Sequence, residues 1–337
     1  MPRRSPLITV MANAAYKAAK RLGRDFGEVE QLQVSRKGPA DFVSSADHKA
    51  EASLVEDLTR SRPKFGFLLE EDGVIKGEDS SNRWIIDPLD GTTNFLHGIP
   101  HFSISIGLER DSKMYAGVIY DPLRDELFWA ETGIGAFINS KRLRVSSRRN
   151  MADAVIATGM PFKGRASHPE YPAMLDQVAA ETSGVRRFGS AALDLAYVAA
   201  GRFDGFWEFA LSPWDIAAGL VVLREAGGLV TEVDGGDQMM TSGDILATNG
   251  ELHNSSTPFE KVIFPGGIAA IDLDSGWKHS CATLIDRSVY CWGGAYYGQL
   301  GNSTSYEILG SHNESTPVRL EIRPMVNGYP TPSPIPM

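Results

Sequence analysis

The chain has 337 residues, of which 42% are hydrophobic and 22% charged, and a formal net charge of −9. That length admits two domains, or one large domain with an appendage, and the composition is that of an ordinary soluble globular protein. The acidic balance argues against direct nucleic-acid binding through bulk electrostatics, and no apolar run approaches the roughly 20 residues of a membrane span.

Near the start, Leu7, Val10, Met11, Ala14 and Ala18 fall at helical spacing. Asn13 and Lys17 interrupt the apolar stretch, so it reads as an amphipathic helix rather than a signal peptide, and the cytoplasm is the expected compartment. Residues 45–60 carry a second helical stripe through Ala50, Leu54 and Leu58. Trp84-Ile85-Ile86 reads as a buried strand that runs into Asp87-Pro88-Leu89-Asp90-Gly91-Thr92-Thr93-Asn94-Phe95. Strands are expected over 102–109, 114–120 and 126–130, with turns at Asp111-Ser112-Lys113 and Asp121-Pro122. Residues 189–200 are rich in Ala and Leu and read as a helix closed by Gly201. A further helix spans 212–226, from Ser212 at the N-cap and Pro213 in the first turn to the Gly227-Gly228 stop. Short strands at 229–233 and 244–247 close the pattern, and the mixture predicts layered α+β or α/β packing.

The acids concentrate the chemical interest. Asp87 and Asp90 stand three residues apart at a strand end, followed at once by a Gly-Thr-Thr turn. Hard cations take oxygen ligands, a few carboxylates together with substrate phosphate oxygens, and the amides of such a turn supply an anion site. A metal-dependent phosphatase is the leading reading. Each piece also has a plainer explanation. Asp-Pro and Asp-Gly are turn formers, Ser44-x-x-Asp47 and Ser212-x-x-Asp215 fit the capping box, and Glu70-Glu71 alone is a solvated strand end. The set of Glu70, Asp87, Asp90 and Asp215, each at a strand end or helix start, favours chemistry, because α/β layers place their sites there.

The segments 84–95 and Trp214-Asp215-Ile216-Ala217-Ala218-Gly219 resemble the two signature motifs of the inositol monophosphatase family, close to its bacterial members, and the likeness covers residues 5–262. The resemblance implies an αβαβα sandwich of the sugar-phosphatase type, two or three Mg²⁺ ions, lithium sensitivity and a homodimer. It also implies hydrolysis of a phosphate monoester by metal-activated water, without a covalent intermediate. By the same resemblance Glu70, Asp87, Asp90, Asp215 and the Leu89 carbonyl are metal ligands, with Asp90 bridging two ions. Gly91 and Thr92 hold phosphate through backbone amides, and the Thr92 hydroxyl with Asp47 positions the attacking water. Gly189, Ser190, Ala191, Ala192 and Glu208 fall where the family contacts the substrate ring, Asp215 borders that region, and Lys37 matches a loop lysine near the metals. Leu69 departs from the family's usual Gly before the Glu pair, with crowding of the site or altered loop mobility as the expected consequence. Inositol monophosphate is the expected substrate; relatives acting on histidinol phosphate or 3′-phosphoadenosine compounds, and a regulatory binding protein that keeps the fold, are the alternatives.

After about Lys261 helical periodicity disappears. Gly276-Trp277-Lys278-His279-Ser280-Cys281-Ala282, Cys291-Trp292-Gly293 and Tyr297-Gly298-Gln299-Leu300-Gly301 resemble one repeat of the RCC-type β-propeller family. One blade cannot bury its own faces. The expected organisation is a catalytic domain over 1–262, a single repeat over 263–322 and an unstructured Pro-rich tail over 323–337. The tail region is a candidate for contacting a protein partner, and Cys281 and Cys291 are either bridged or free thiols.

Overall fold

The computed structural model describes residues 4–26, 34–38, 41–160 and 171–253, together with strand segments from residue 270 on. For 34–38, 41–44 and those late strands it describes the backbone alone. The chain divides into two compact units, Met1–Glu260 and Lys261–Met337.

In the first unit, α1 (Pro6–Phe26) begins at Ser5, whose hydroxyl accepts from Ile8 N and whose carbonyl accepts from Thr9 N. The hairpin β1 (Val34–Gly38) and β2 (Asp41–Ser44) leads to α2 (Ser45–Ser61), β3 (Phe65–Leu69), β4 (Val74–Ile75), β5 (Asp79–Asp90) and the short α3 (Thr92–Leu96). A meander follows: β6 (Ser103–Arg110), β7 (Lys113–Asp121), β8 (Glu126–Glu131), β9 (Gly135–Ile138) and β10 (Lys141–Arg142). The remainder is β11 (Val155–Thr158), α4 (Tyr171–Glu181), β12 (Gly184–Arg186), α5 (Ala191–Ala199), β13 (Gly205–Glu208), α6 (Pro213–Glu225), β14 (Leu229–Thr231), α7 (Met239–Ser242) and β15 (Ile245–Thr248).

Eight strands form one sheet in the order β10-β9-β8-β7-β6-β5-β3-β4, and five form another in the order β12-β11-β13-β15-β14. Strand alternation reveals the layers. Leu127 and Trp129 join the apolar cluster of α1 and α2, with Ile8, Met11 and Leu54. Their neighbours Phe128 and Ala130 face the other way, into the cluster of α5 and α6 with Leu195 and Ile216. On the second sheet Phe206 joins that same helical cluster, while Trp207 turns to Tyr171 and Val178 of α4. The stacking is therefore α, β, α, β, α. Each fully buried Leu, Ile or Phe contributes roughly 1.5–3 kcal/mol of apolar burial to it.

One seam in this stack is unusually close. A Cβ added at Gly117 would lie 2.4 Å from Ala218 O, and one at Gly107 would lie 2.8 Å from the Ala217 Cβ. On the far side of the helix, a Cβ at Gly219 would lie 2.4 Å from Leu195 Cδ1. The small residues of Ala217-Ala218-Gly219 therefore let α6 sit almost backbone to backbone between the large sheet and α5.

Two details refine the sequence reading. The acids do stand at a strand end: β5 runs through Asp90, with a register shift against β6 between Asp87 and Asp90. A bulge is where a strand tolerates Pro88. Leu69 does not crowd the acids, because its side chain is fully buried in the α1/α2 cluster together with Phe67.

The second unit has a sequential antiparallel sheet of β16 (Ala270–Gly276), β17 (His279–Leu284), β18 (Val289–Gly294) and β19 (Asn313–Arg319). Cys281 and Cys291 are register partners across β17 and β18, and their side chains lie outside the described residues. Within the stretch expected as a tail, β20 (Met325–Val326) pairs with β21 (Tyr329–Pro330); residues 331–337 lie outside the described ones. Among the described residues no helix is long and apolar enough to cross a membrane.

Candidate active site

The end of β5 is the centre of the site. Asp87 and Asp90 are buried there, as is Leu89 between them. Asp87 turns one oxygen back to Leu89 N at 2.9 Å, which fixes its rotamer within the bulge. Gly91 follows at φ 100°, a conformation that glycine adopts without strain, and opens α3. A side chain there would also lie 3.1 Å from His101 O and 3.3 Å from Gly189 O, so only glycine lets these three turns meet.

Asp90 is anchored from α5. Its Oδ2 accepts from Ser190 Oγ at 2.5 Å and from Ala192 N at 2.9 Å, with Ser103 Oγ at 3.4 Å. Burial, then the neighbouring Asp215, raises its pKa to about 7 against the lowering effect of Ser190, Ala192 and Ala191. Asp87 is raised well above the usual carboxylate range, first by burial and then by Glu70, Asp90 and Asp215, and it shares a side-chain hydrogen bond with Glu70.

The four acids predicted from separate segments therefore converge: Glu70 after β3, Asp87 and Asp90 on β5, and Asp215 in the first turn of α6. Asp215 also accepts from Ser212 N at 2.7 Å. Capping does not take it away from the other acids, since this one residue closes the helix start and also faces Asp87 and Asp90. Similarly, Asp47 lies in the first turn of α2 and accepts from the Thr92 hydroxyl at 3.1 Å, while that hydroxyl reaches the Leu89 carbonyl at 3.0 Å.

Gly189, Ser190 and Ala191 lie at the start of α5, at the Asp90 side of the site. Gly189 has φ 84°. Glu208 ends β13 and leans over Gly159, where an added Cβ would lie 1.8 Å from its carboxyl carbon. The buried Asp194 faces Glu208 and Asp90; burial first, then those two charges, raises its pKa well above the carboxylate range against the pull of Arg187. Lys37 falls in β1, and its side chain lies outside the described residues.

Several supports escaped the sequence reading. Asn94, quoted there only as part of a motif, uses its amide to bind His101 O at 2.8 Å and Phe188 O at 2.7 Å, tying α3 to both flanking loops. His101 is buried against Phe188, and its pKa falls to about 4 through burial and then the Arg124 charge. An amide side chain inside the quoted motif was the available signal for Asn94; nothing in the local pattern marked Ser103 or His101.

The donor set is all oxygen, clustered, and costly to ionise when alone, which is the chemistry of a hard divalent cation. Among the described residues no three of His, Cys, Asp and Glu form a ready-made ion cage. The acids meet as a shared negative field, in which burial and mutual repulsion raise the pKa of Asp87 and of Asp90.

Comparison with known proteins places the chain beside characterised families. Residues 3–261 match the inositol monophosphatase family, and residues 270–299 match the regulator of chromosome condensation (RCC1) repeat. An inositol-1-monophosphatase of Mesorhizobium japonicum is 59% identical over 246 residues, covering 73% of this chain and 92% of the relative. The Nus factor SuhB of Escherichia coli K12 is 43% identical over 244 residues, covering 72% and 91%. Among solved structures, the extragenic suppressor protein suhB of Bartonella henselae superposes with a TM-score of 0.72 at 58% identity, covering 73% of this chain and 95% of that one. An inositol monophosphatase from Anabaena superposes with a TM-score of 0.66 at 39% identity, covering 74% and 92%.

Proposed function

This chain belongs to the inositol monophosphatase family and is a phosphatase, and from that premise we propose that it hydrolyses inositol monophosphate with Mg²⁺ as its cofactor. The family is generally metal-dependent. The observation that carries the reading is the convergence of Glu70, Asp87, Asp90 and Asp215 from three separate segments onto one field. Pure binding has no need of four clustered acids.

Glu70, Asp87, Asp90, Asp215 and the Leu89 carbonyl would hold two or three ions. When bound, such a cation supplies Lewis-acid charge to the phosphoryl group and lowers the pKa of water. The protein's own part is positional. The Gly91 and Thr92 amides open α3, where the first N–H groups have no intrahelical partner, and they would receive the phosphate oxygens. The Thr92 hydroxyl has one proton to give, and Asp47 accepts it at Oδ1. That leaves the Thr92 oxygen to accept from the attacking water and to pass its proton on to Asp47. Gly189, Ser190, Ala191 and Glu208 would bound the alcohol half of the substrate, with Glu208 accepting from its ring hydroxyls.

We take residues 1–262 as the catalytic domain, 263–322 as a single repeat and 323–337 as a tail. A homodimer fits the apolar residues Ile99, Leu123 and Phe188, all exposed; sedimentation of the full chain tests it. The cytoplasm remains the proposed compartment. The Nus-factor name of the Escherichia coli relative favours a second reading, a regulatory binding role on the same fold; a protein partner at the C-terminal unit is a separate proposal that rests on the RCC1-like repeat there.

The deciding experiment is phosphate release by the full-length protein from a panel containing inositol 1-phosphate, histidinol phosphate and 3′-phosphoadenosine 5′-phosphate. Release from inositol 1-phosphate that requires Mg²⁺ and is suppressed by Li⁺ is the expected result. Faster turnover of either other ester reassigns the substrate, and no release from any ester leaves the regulatory reading.

A further inference from the structure

Glu51 is a buried carboxylate to which the proposed chemistry gives no task. It lies on α2 one turn beyond Asp47 and is only 1% exposed. Its two oxygens each accept a backbone amide: Oε2 takes Glu71 N at 3.0 Å and Oε1 takes Asp72 N at 2.9 Å. The same turn is closed on its other side by Leu69 N donating to Gly73 O at 2.8 Å. The backbone is thereby held at 69, 71 and 72, and Glu70 is the residue between those ties.

A buried carboxylate is an expensive way to satisfy two amides. Burying a charge costs free energy unless it is paired, and the charges beside this one, Asp72 and Glu71, are of like sign. An exposed turn would leave the same amides to water at no such cost. What the carboxylate adds is rigidity, through two charge-assisted bonds from one planar group. Asp47 and Glu51 are four apart on α2, so they share a face. From that face Asp47 holds Thr92 and Glu51 holds the turn that carries Glu70.

We propose that Glu51 is a positioning residue of the metal site: it fixes the 69–73 turn so that Glu70 is aimed at Asp87, with α2 as the common brace for both halves of the site. This deepens the reading of the site as a metal-dependent phosphatase and rests on it.

The test uses the full-length protein, with Mg²⁺ binding followed by intrinsic fluorescence and by the rise in Tm, and with kcat measured at saturating Mg²⁺. Glu51→Ala removes both acceptors and Glu51→Gln keeps one carbonyl oxygen. Leu54→Ala, a fully buried position on the same helix, reports what simple loosening of α2 does. The apparent Kd for Mg²⁺ is expected to rise about 10- to 100-fold in Glu51→Ala, the range for partners that orient metal ligands, and less in Glu51→Gln. Saturating Mg²⁺ restores most of kcat in both, and Leu54→Ala lowers Tm without moving the Mg²⁺ midpoint. Midpoints equal to wild type in the Glu51 variants overturn the proposal, as does an equal shift in Leu54→Ala. If Glu51→Ala fails to fold, Glu51→Gln alone decides by the same criterion. Absence of Mg²⁺ binding in the wild-type protein instead removes the Mg²⁺-dependent reading of the site beneath it.

Discussion

The Thr92 hydroxyl donates to Asp47 Oδ1 at 3.1 Å, and that single bond joins the turn after β5 to the first turn of α2. The two residues lie 45 positions apart in the chain. Thr92→Val keeps the shape and removes the proton relay. It is expected to lower kcat by about 10²- to 10⁴-fold, the range for a positioned acid–base group, with little change in Tm. The double variant with Asp47→Asn should be hardly slower than either single one, since the pair acts as a unit. Multiplied losses in the cycle would separate the two residues.

Asp90→Asn is expected to remove nearly all turnover while the chain stays folded. An amide oxygen can still accept from Ala192 N and Ser190 Oγ, so the link to α5 survives. Removing one buried negative charge from the cluster should also raise the Tm of the metal-free protein near neutral pH. Circular dichroism and phosphate release on the same sample check both halves, and full activity would refute the assignment of Asp90.

The raised carboxyls set a pH dependence for the metal-free protein. Asp90, ordinarily at 3.8, is raised to about 7, so between those values the folded state keeps a proton that the unfolded chain has lost. Stability from this group is full at acid pH and is lost as pH rises through about 7; Asp87 acts in the same direction. His101 works the opposite way, because its pKa is lowered to about 4 and charging it opposes folding as pH falls below 6.5. The rise in Tm on adding Mg²⁺ isolates the carboxyls, since cation binding displaces their protons. It is expected to be larger at about pH 7.5 than at about pH 5.5. Equal rises would show that the acids are not where the ion binds.

Gly117→Val tests the close seam under α6. The added atoms would meet Ala218 backbone, which cannot rotate aside as a flexible side chain can. Overpacking of this kind costs typically about 1–3 kcal/mol, so a lower urea midpoint is expected. Because Asp215 rides on the same helix, Mg²⁺ affinity should weaken as well. A loss of stability with unchanged affinity would show that α6 yields without moving its first turn.

Much of this architecture was readable in the linear pattern. The stripe through Leu7, Met11 and Ala18 lies in α1, and Ser212, Pro213 and the Gly227-Gly228 stop bracket α6 as expected. Asp87, Asp90, Glu70 and Asp215 were found because acids at strand ends and helix starts are unusual as a set. What escaped notice depended on tertiary proximity. Helix α4 carries only Tyr171 and Val178 as buried residues, too few to mark a stripe. Glu51 sits among polar helix residues, and its task appears only when Glu71 and Asp72 arrive from 20 and 21 positions away. Ala217, Ala218 and Gly219 read as part of a catalytic signature, whereas in the fold their smallness serves the approach of a helix to a sheet.

That approach leaves the two walls of the pocket mechanically unequal. Asp215 stands on a strut with no slack against β6 and β7, so it behaves as a fixed anvil. The opposite wall, carrying Glu70, is held instead by three hydrogen bonds, so its aim depends on polar partners that a single substitution can remove. Steric fit therefore sets the place of one acid, and polar ties set the place of the other.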